Sequence, residues 1–145
     1  PVLGNNKALA DLVGLTKIEP FGEYEGQNIG FKGKLEPISA KALGTKLEAK
    51  IGSPVKVIGS GAISSLGLVS GAAGDILEQA KAAGLDAYLT GEGANHHYHE
   101  AVENDCILIL AGHYATETGG VNSVGRHLKE KFGIETEFLD YPTGL

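Results

Sequence analysis

Two side chains able to hold a metal lie four residues apart, His113 and Glu117, in the run Ala-Gly-His-Tyr-Ala-Thr-Glu-Thr-Gly-Gly at residues 111–120. If this segment turns helically, a carboxylate four positions after an imidazole returns to the same side. Both groups are ordinary ligands for first-row divalent cations. Gly112 lets the backbone approach closely, and Gly119 and Gly120 are expected to free the chain that follows. Spacing alone leaves two readings open, metal ligation and a hydrogen-bonded His-Glu pair. Two ligands also fall short of the about three protein ligands that a catalytic site usually has.

Thr90-Gly91-Glu92 follows a short apolar run, at the kind of strand end where open α/β sheets place ligands, so Glu92 is a candidate acid or base. Its plainer reading is a solvated loop carboxylate or a partner of a helix N-terminus. His96, His97, His99 and Glu100 crowd the next segment. His96 and Glu100 could share a helix face, but the adjacent His96 and His97 cannot, and His99 has the better claim to a site role. The Gly-rich run at residues 70–75 lacks the Lys-Ser/Thr of a phosphate loop and the spacing of a dinucleotide fingerprint, so it reads as a tight strand-to-helix turn. Cys106, the single cysteine, precedes an apolar run and reads as a small core residue.

These residues need a scaffold, and hydrophobic periodicity supplies one. Residues 5–13 read as a short surface docking helix capped by Asn5 and stopped by Gly14. Residues 21–24 and 28–31 fit a hairpin. Ser39 caps a helix through Lys50 whose stripe holds Ala42, Leu43, Leu47 and Ile51. Residues 55–58 and 66–69 look like strands buried on both faces. Helices at 75–83, 95–103 and 121–131 then alternate with strands at 87–89, 107–110 and 135–139. That alternation predicts an α/β fold with a mixed, mostly parallel sheet and helices on its faces.

Bulk composition narrows the functional classes. At 145 residues a single domain, residues 1–145, is expected, large enough to bury a core without disulfide or metal staples. A net charge of −6 disfavours a nucleic-acid partner. No apolar run approaches the roughly 20 residues needed to span a bilayer, so no membrane association and a cytoplasmic location are expected. Pro1 opens the chain without an initiator Met, a basic stretch or an apolar leader, which is expected of a chain without targeting information and of a piece cut from something longer.

The combination of Thr90-Gly91-Glu92, a helix with His99, and Gly112-His113-Tyr114-Ala115-Thr116-Glu117 resembles the C-terminal part of the GTP cyclohydrolase 1 type 2 family, also called the Nif-three-like dinuclear metal centre proteins. The resemblance runs from Leu3-Gly4-Asn5-Asn6 to Phe138-Leu139-Asp140 and Pro142, with the Gly-His-Tyr-Ala-Thr-Glu segment its most specific part. It implies that the chain is one part of a two-domain architecture that assembles as a hexameric ring, a homo-oligomer with two metals per site. It also implies that His113 and Glu117 are metal ligands; Zn, Fe or Mn there would lower the pKa of bound water, and Glu92 or His99 is then the candidate acid or base beside them. The family's remaining ligands, a His-His pair and an Asp, come from an N-terminal half that these residues do not contain, and His96-His97 is not that pair. The function implied is a metal-dependent hydrolase acting on a nucleotide such as GTP, with the isolated chain inactive. The competing class is a non-catalytic, ring-forming interaction or regulatory protein whose metals are structural.

Overall fold

A single six-stranded sheet organises the described residues, which in this computed structural model are 2–103 and 105–143, leaving Pro1 outside. Chain order begins with α1 (Asn5–Val13), β1 (Thr16–Tyr24), β2 (Gln27–Ser39), α2 (Ala40–Ile51) and β3 (Lys56–Ile58). It continues with β4 (Ala62–Leu68), a 3-10 turn at Gly74–Ile76, α3 (Leu77–Ala82), β5 (Ala87–Thr90), α4 (His96–Glu103), β6 (Ile107–Leu110) and α5 (His113–Phe132). In space the strands run β1-β2-β4-β5-β6-β3. The fold is α/β with a mixed sheet, as expected, but the sheet is not mostly parallel, because the β1–β2 hairpin and the edge strand β3 add antiparallel pairings. Its parallel pairings are β4 with β5 and β5 with β6, while β1/β2, β2/β4 and β3/β6 are antiparallel.

Alternation along the central strands splits the core into two layers. Leu66, Leu68, Leu89 and Ile109 face α1 and α2, meeting Leu9, Val13, Leu43 and Leu47. Tyr88 and Leu108 face the opposite way, meeting Ile76, Leu77, Ala80, Ala101 and Cys106. Burying one such Leu contributes roughly 1.5–3 kcal/mol, so the two layers hold the parallel strands firmly in register.

Several boundaries differ from expectation for physical reasons. The hairpin strands are longer than residues 21–24 and 28–31, because β1 is an edge strand that tolerates Pro20 and exposed polar residues. The segment around Val57 is also an edge, paired with β6 alone, so Lys56 is exposed and burial is one-sided instead of complete. α2 is capped as the sequence indicates, with Ser39 Oγ accepting from the Ala42 N–H at 3.2 Å.

α1 is no surface docking element. Leu9, Ala10 and Val13 are buried in the core, and its N-cap is Gly4. The side chain of Asn5 instead accepts from the Gly120 N–H at 2.8 Å. α5 starts at His113, not at Val121, and runs uninterrupted through Gly119 and Gly120. Those glycines do not release the chain. A Cβ at Gly120 would lie 2.3 Å from Asn5 Oδ1, so the missing side chain is what lets α1 and α5 touch. Residues 135–139 form no strand and are exposed.

Candidate metal centre

Three loops leave the carboxyl ends of the three parallel strands side by side, and each brings one part of the site. The loop after β4 brings Gly71, the loop after β5 brings Glu92, and the first turn of α5, after β6, brings His113 and Glu117. Backbone bonds lace the loops together. Gly71 O accepts from the N–H groups of Gly91 and Glu92 at 2.9 and 3.1 Å, and Gly91 O accepts from the Gly112 N–H at 2.8 Å. Two buried threonines lock the stack. Thr90 Oγ1 donates to Gly71 O at 3.0 Å, and Thr116 Oγ1 accepts from the Gly71 N–H at 3.0 Å while donating to His113 O at 3.0 Å. Asn6 ties in from α1, its Oδ1 accepting from the Ser70 N–H at 2.6 Å.

His113 stands between two carboxylates. Its Nδ1 lies 3.1 Å from Glu92 Oε1, and its Nε2 lies 3.4 Å from Glu117 Oε2. All three side chains are between 41% and 49% exposed, so the group lies at the surface of a cleft and not in the core. The Glu92 hydrogen bond is the largest influence on the imidazole. It outweighs partial desolvation and, with the Glu117 charge, holds the His113 pKa above its ordinary value.

A cation fits this arrangement on two counts. With Nδ1–H donated to Glu92, the Nε2 lone pair is left facing Glu117, which is the tautomer that metal-ligating histidines adopt when a carboxylate holds the other nitrogen. Two donor atoms at about 2.05 Å from a tetrahedral zinc stand about 3.3 Å apart, close to the separation of Nε2 and Oε2. Gly71, at φ +73°, keeps the approach clear: a Cβ there would lie 2.6 Å from Glu117 Oε1 and 3.4 Å from His113 Nε2.

The same three residues help line a cleft of about 470 Å³, together with Tyr114, Val121 and Phe138. A larger neighbouring cleft of about 600 Å³ shares Tyr114, Thr118, Phe138 and Thr143 but contains neither the imidazole nor the two carboxylates. The Tyr114 hydroxyl donates to Asp140 Oδ1 at 2.8 Å and accepts from the Tyr141 N–H at 2.9 Å, which holds the C-terminal segment against both clefts.

The histidines of α4 go elsewhere. His99 lies on the exposed side of the helix with its ring edge-on to Tyr98, 5.4 Å between centroids, and makes no hydrogen bond to Glu92, His113 or Glu117 among the described residues. His97 is buried, with Nε2 2.9 Å from Asp75 Oδ1 and Nδ1 accepting from the Ala94 N–H at 2.8 Å. His96 stays exposed, and its ligand atom falls within 4.8 Å of those of Asp75 and His97. The sequence offered no signal for the Asp75 contact, which joins residues about twenty positions apart. Burial raises the Cys106 thiol pKa to about 11, in keeping with a core role.

Fold and site together define an α/β protein with a histidine set between two carboxylates at the carboxyl ends of its parallel strands. The chain belongs to the Duf34/NIF3 (NGG1p interacting factor 3) family, whose model matches residues 1–143. A GTP cyclohydrolase 1 type 2 homolog from Halobacterium salinarum is 44% identical over the whole chain, which covers 59% of that relative. One of the same name from Pyrococcus abyssi is 40% identical, again over the whole chain and 59% of the relative. Among solved structures, protein ybgI, of unknown function, superposes with a TM-score of 0.89 at 29% identity, over 99% of this chain and 57% of that one. TTHA1606 from Thermus thermophilus gives 0.82 at 32% identity with the same coverage. The chain therefore spans a little over half the length of the relatives it matches. No helix among the described residues is long and apolar enough to cross a membrane.

Proposed function

We propose that this chain is the C-terminal portion of a longer protein and supplies half of a divalent-metal site, with His113 and Glu117 as ligands and Glu92 as the group that orients His113. The observation that carries this reading is the placement of one carboxylate on each nitrogen of a single imidazole, at 3.1 and 3.4 Å. Zn, Fe or Mn suits a mixed nitrogen and oxygen donor set. Bound there, such a cation supplies Lewis acidity and lowers the pKa of bound water toward 7. Glu92 sits where it holds a proton against His113 Nδ1, and His99 has no comparable contact, so Glu92 is the acid-base candidate of the two.

The reaction class that best suits this site is hydrolysis of a nucleotide. The cleft beside the carboxylates has the size of a small-molecule pocket and presents Tyr114 and Phe138 as surfaces for a ring. The name carried by the relatives points to GTP. A second reading is favoured by the exposed apolar residues Val121, Val124, Phe138 and Leu139, namely a ring-forming homo-oligomer with structural metals and no turnover. The full-length parent, loaded with metal, separates the two. GTP or phosphoester hydrolysis that His113→Ala abolishes while the assembly persists supports the enzyme. Loss of assembly in His113→Ala, with no turnover in the unaltered protein, supports the scaffold.

A further inference from the structure

We propose that His97 is a positioning residue for Glu92: it fixes the loop between β5 and α4, and through that loop sets which ring nitrogen of His113 carries the proton. The inference rests on the reading of Glu92 as the group that orients His113. Glu92 is half-exposed, so its place against His113 depends on the backbone beneath it more than on packing of its side chain. One end of that backbone is anchored where the Gly91 and Glu92 N–H groups donate to Gly71 O. The other end is anchored at Ala94, whose N–H donates to His97 Nδ1 at 2.8 Å while its carbonyl accepts the His97 N–H at 3.1 Å. A side chain three residues beyond a helix cap reaches back in this way in a capping box, and here an imidazole takes that role.

His97 is itself held firmly. The ring is buried, and Cβ atoms at Gly74 and Gly93 would lie 2.3 Å from its Cε1 and 3.1 Å from its Nδ1, so it fills a slot that two residues without side chains leave open. With Nδ1 accepting, the ring proton is on Nε2, 2.9 Å from Asp75 Oδ1. Asp75 belongs to the 3-10 turn that follows β4, so His97 ties the loop after β5 to the loop after β4 a second time, beyond Gly71.

The second tie matters because the loop has space on either side. Glu92 borders the cleft that holds His113 and also a separate cleft of about 380 Å³ lined by Asp75, Gly93 and His97. Released at Ala94, the loop can carry Glu92 away from His113 Nδ1. Glu117 is then the carboxylate left to accept a ring proton, and it faces Nε2. That tautomer occupies the lone pair that a cation on Nε2 needs.

Long-range proton–nitrogen NMR spectra of the metal-free, isotope-labelled chain, recorded at a pH where His113 is neutral, read each tautomer directly. The unaltered chain is expected to carry the proton on Nε2 of His97 and on Nδ1 of His113. His97→Leu fills the slot without an acceptor and is expected to move His113 toward the Nε2–H form. His97→Asn, whose Oδ1 falls where Nδ1 stood, is expected to restore Nδ1–H, with circular dichroism confirming the fold of each variant. Glu92→Ala separates the two levels of the argument: a His113 that does not move there sinks the reading beneath the proposal. A His113 that moves in Glu92→Ala but stays unchanged in a folded His97→Leu overturns the proposal alone. So does loss of the Nδ1–H form in a folded His97→Asn chain, or a His97 that carries its own proton on Nδ1 in the unaltered chain.

Discussion

Each ring nitrogen of His113 has its own carboxylate, and this fixes how the residue responds to pH. Without metal, the imidazolium is favoured because Glu92 and then Glu117 stabilise its charge, so its pKa stands above the ordinary value of about 6.5. The folded-state pKa is raised, so the resulting stabilisation is fully present below about pH 6.5 and is lost as pH rises through the folded value. Exposure keeps that contribution small. NMR titration of His113 in metal-free protein should give a pKa above the ordinary histidine value, and Glu92→Gln should move it down. The proton and a cation compete for Nε2, so zinc loading should rise as pH passes that pKa. The sequence made His113 and Glu117 legible because their spacing and surrounding glycines are local. It could not reveal that Glu92 meets Nδ1, or that Asp75 meets His97, since those contacts depend on which strands become neighbours.

Thr116 ties the loop after β4 to the start of α5, and spacing arguments passed over it although it lies between His113 and Glu117. Its hydroxyl is buried, accepts the Gly71 N–H and donates to His113 O. Thr116→Val keeps the shape and leaves that N–H unpaired, so it is expected to cost about 1–3 kcal/mol of stability in denaturant unfolding. Gly71→Ala should also lower stability and zinc affinity together, because it strains a backbone at φ +73° and puts a methyl against Glu117. Zinc affinity equal to that of the unaltered chain would rule out the role given to Gly71.

At this scale the central β-α alternation was readable from apolar runs. The start of α5 was not, because Gly119 and Gly120 read as breakers when they are contact points for Asn5 and Ala8. Residues 135–139 follow a helix where the β-α succession calls for a strand, but β3 already pairs with β6 and the segment joins no strand of the sheet.

Taken whole, the molecule presents a firm two-layer core beneath an open cleft lined by His113 and its two carboxylates, the proposed half-site. Its length is a little over half that of its relatives, and two ligands are fewer than the about three that a zinc site usually draws from protein. The chain alone should therefore hold its cation weakly, and dialysis should strip metal from the His113 site more readily than from the full-length parent. The fold class and the family resemblance were legible because they rest on strand runs and one contiguous segment. The completeness of the site was not, since under the proposed reading its further ligands come from outside these residues. The most direct test of the central claim is anomalous scattering at the zinc edge from crystals of the chain grown with zinc. The expected result is a peak about 2.1 Å from His113 Nε2 and from a Glu117 carboxylate oxygen, with Glu92 still on Nδ1. Zinc found only at His96, or none beside His113, would contradict it.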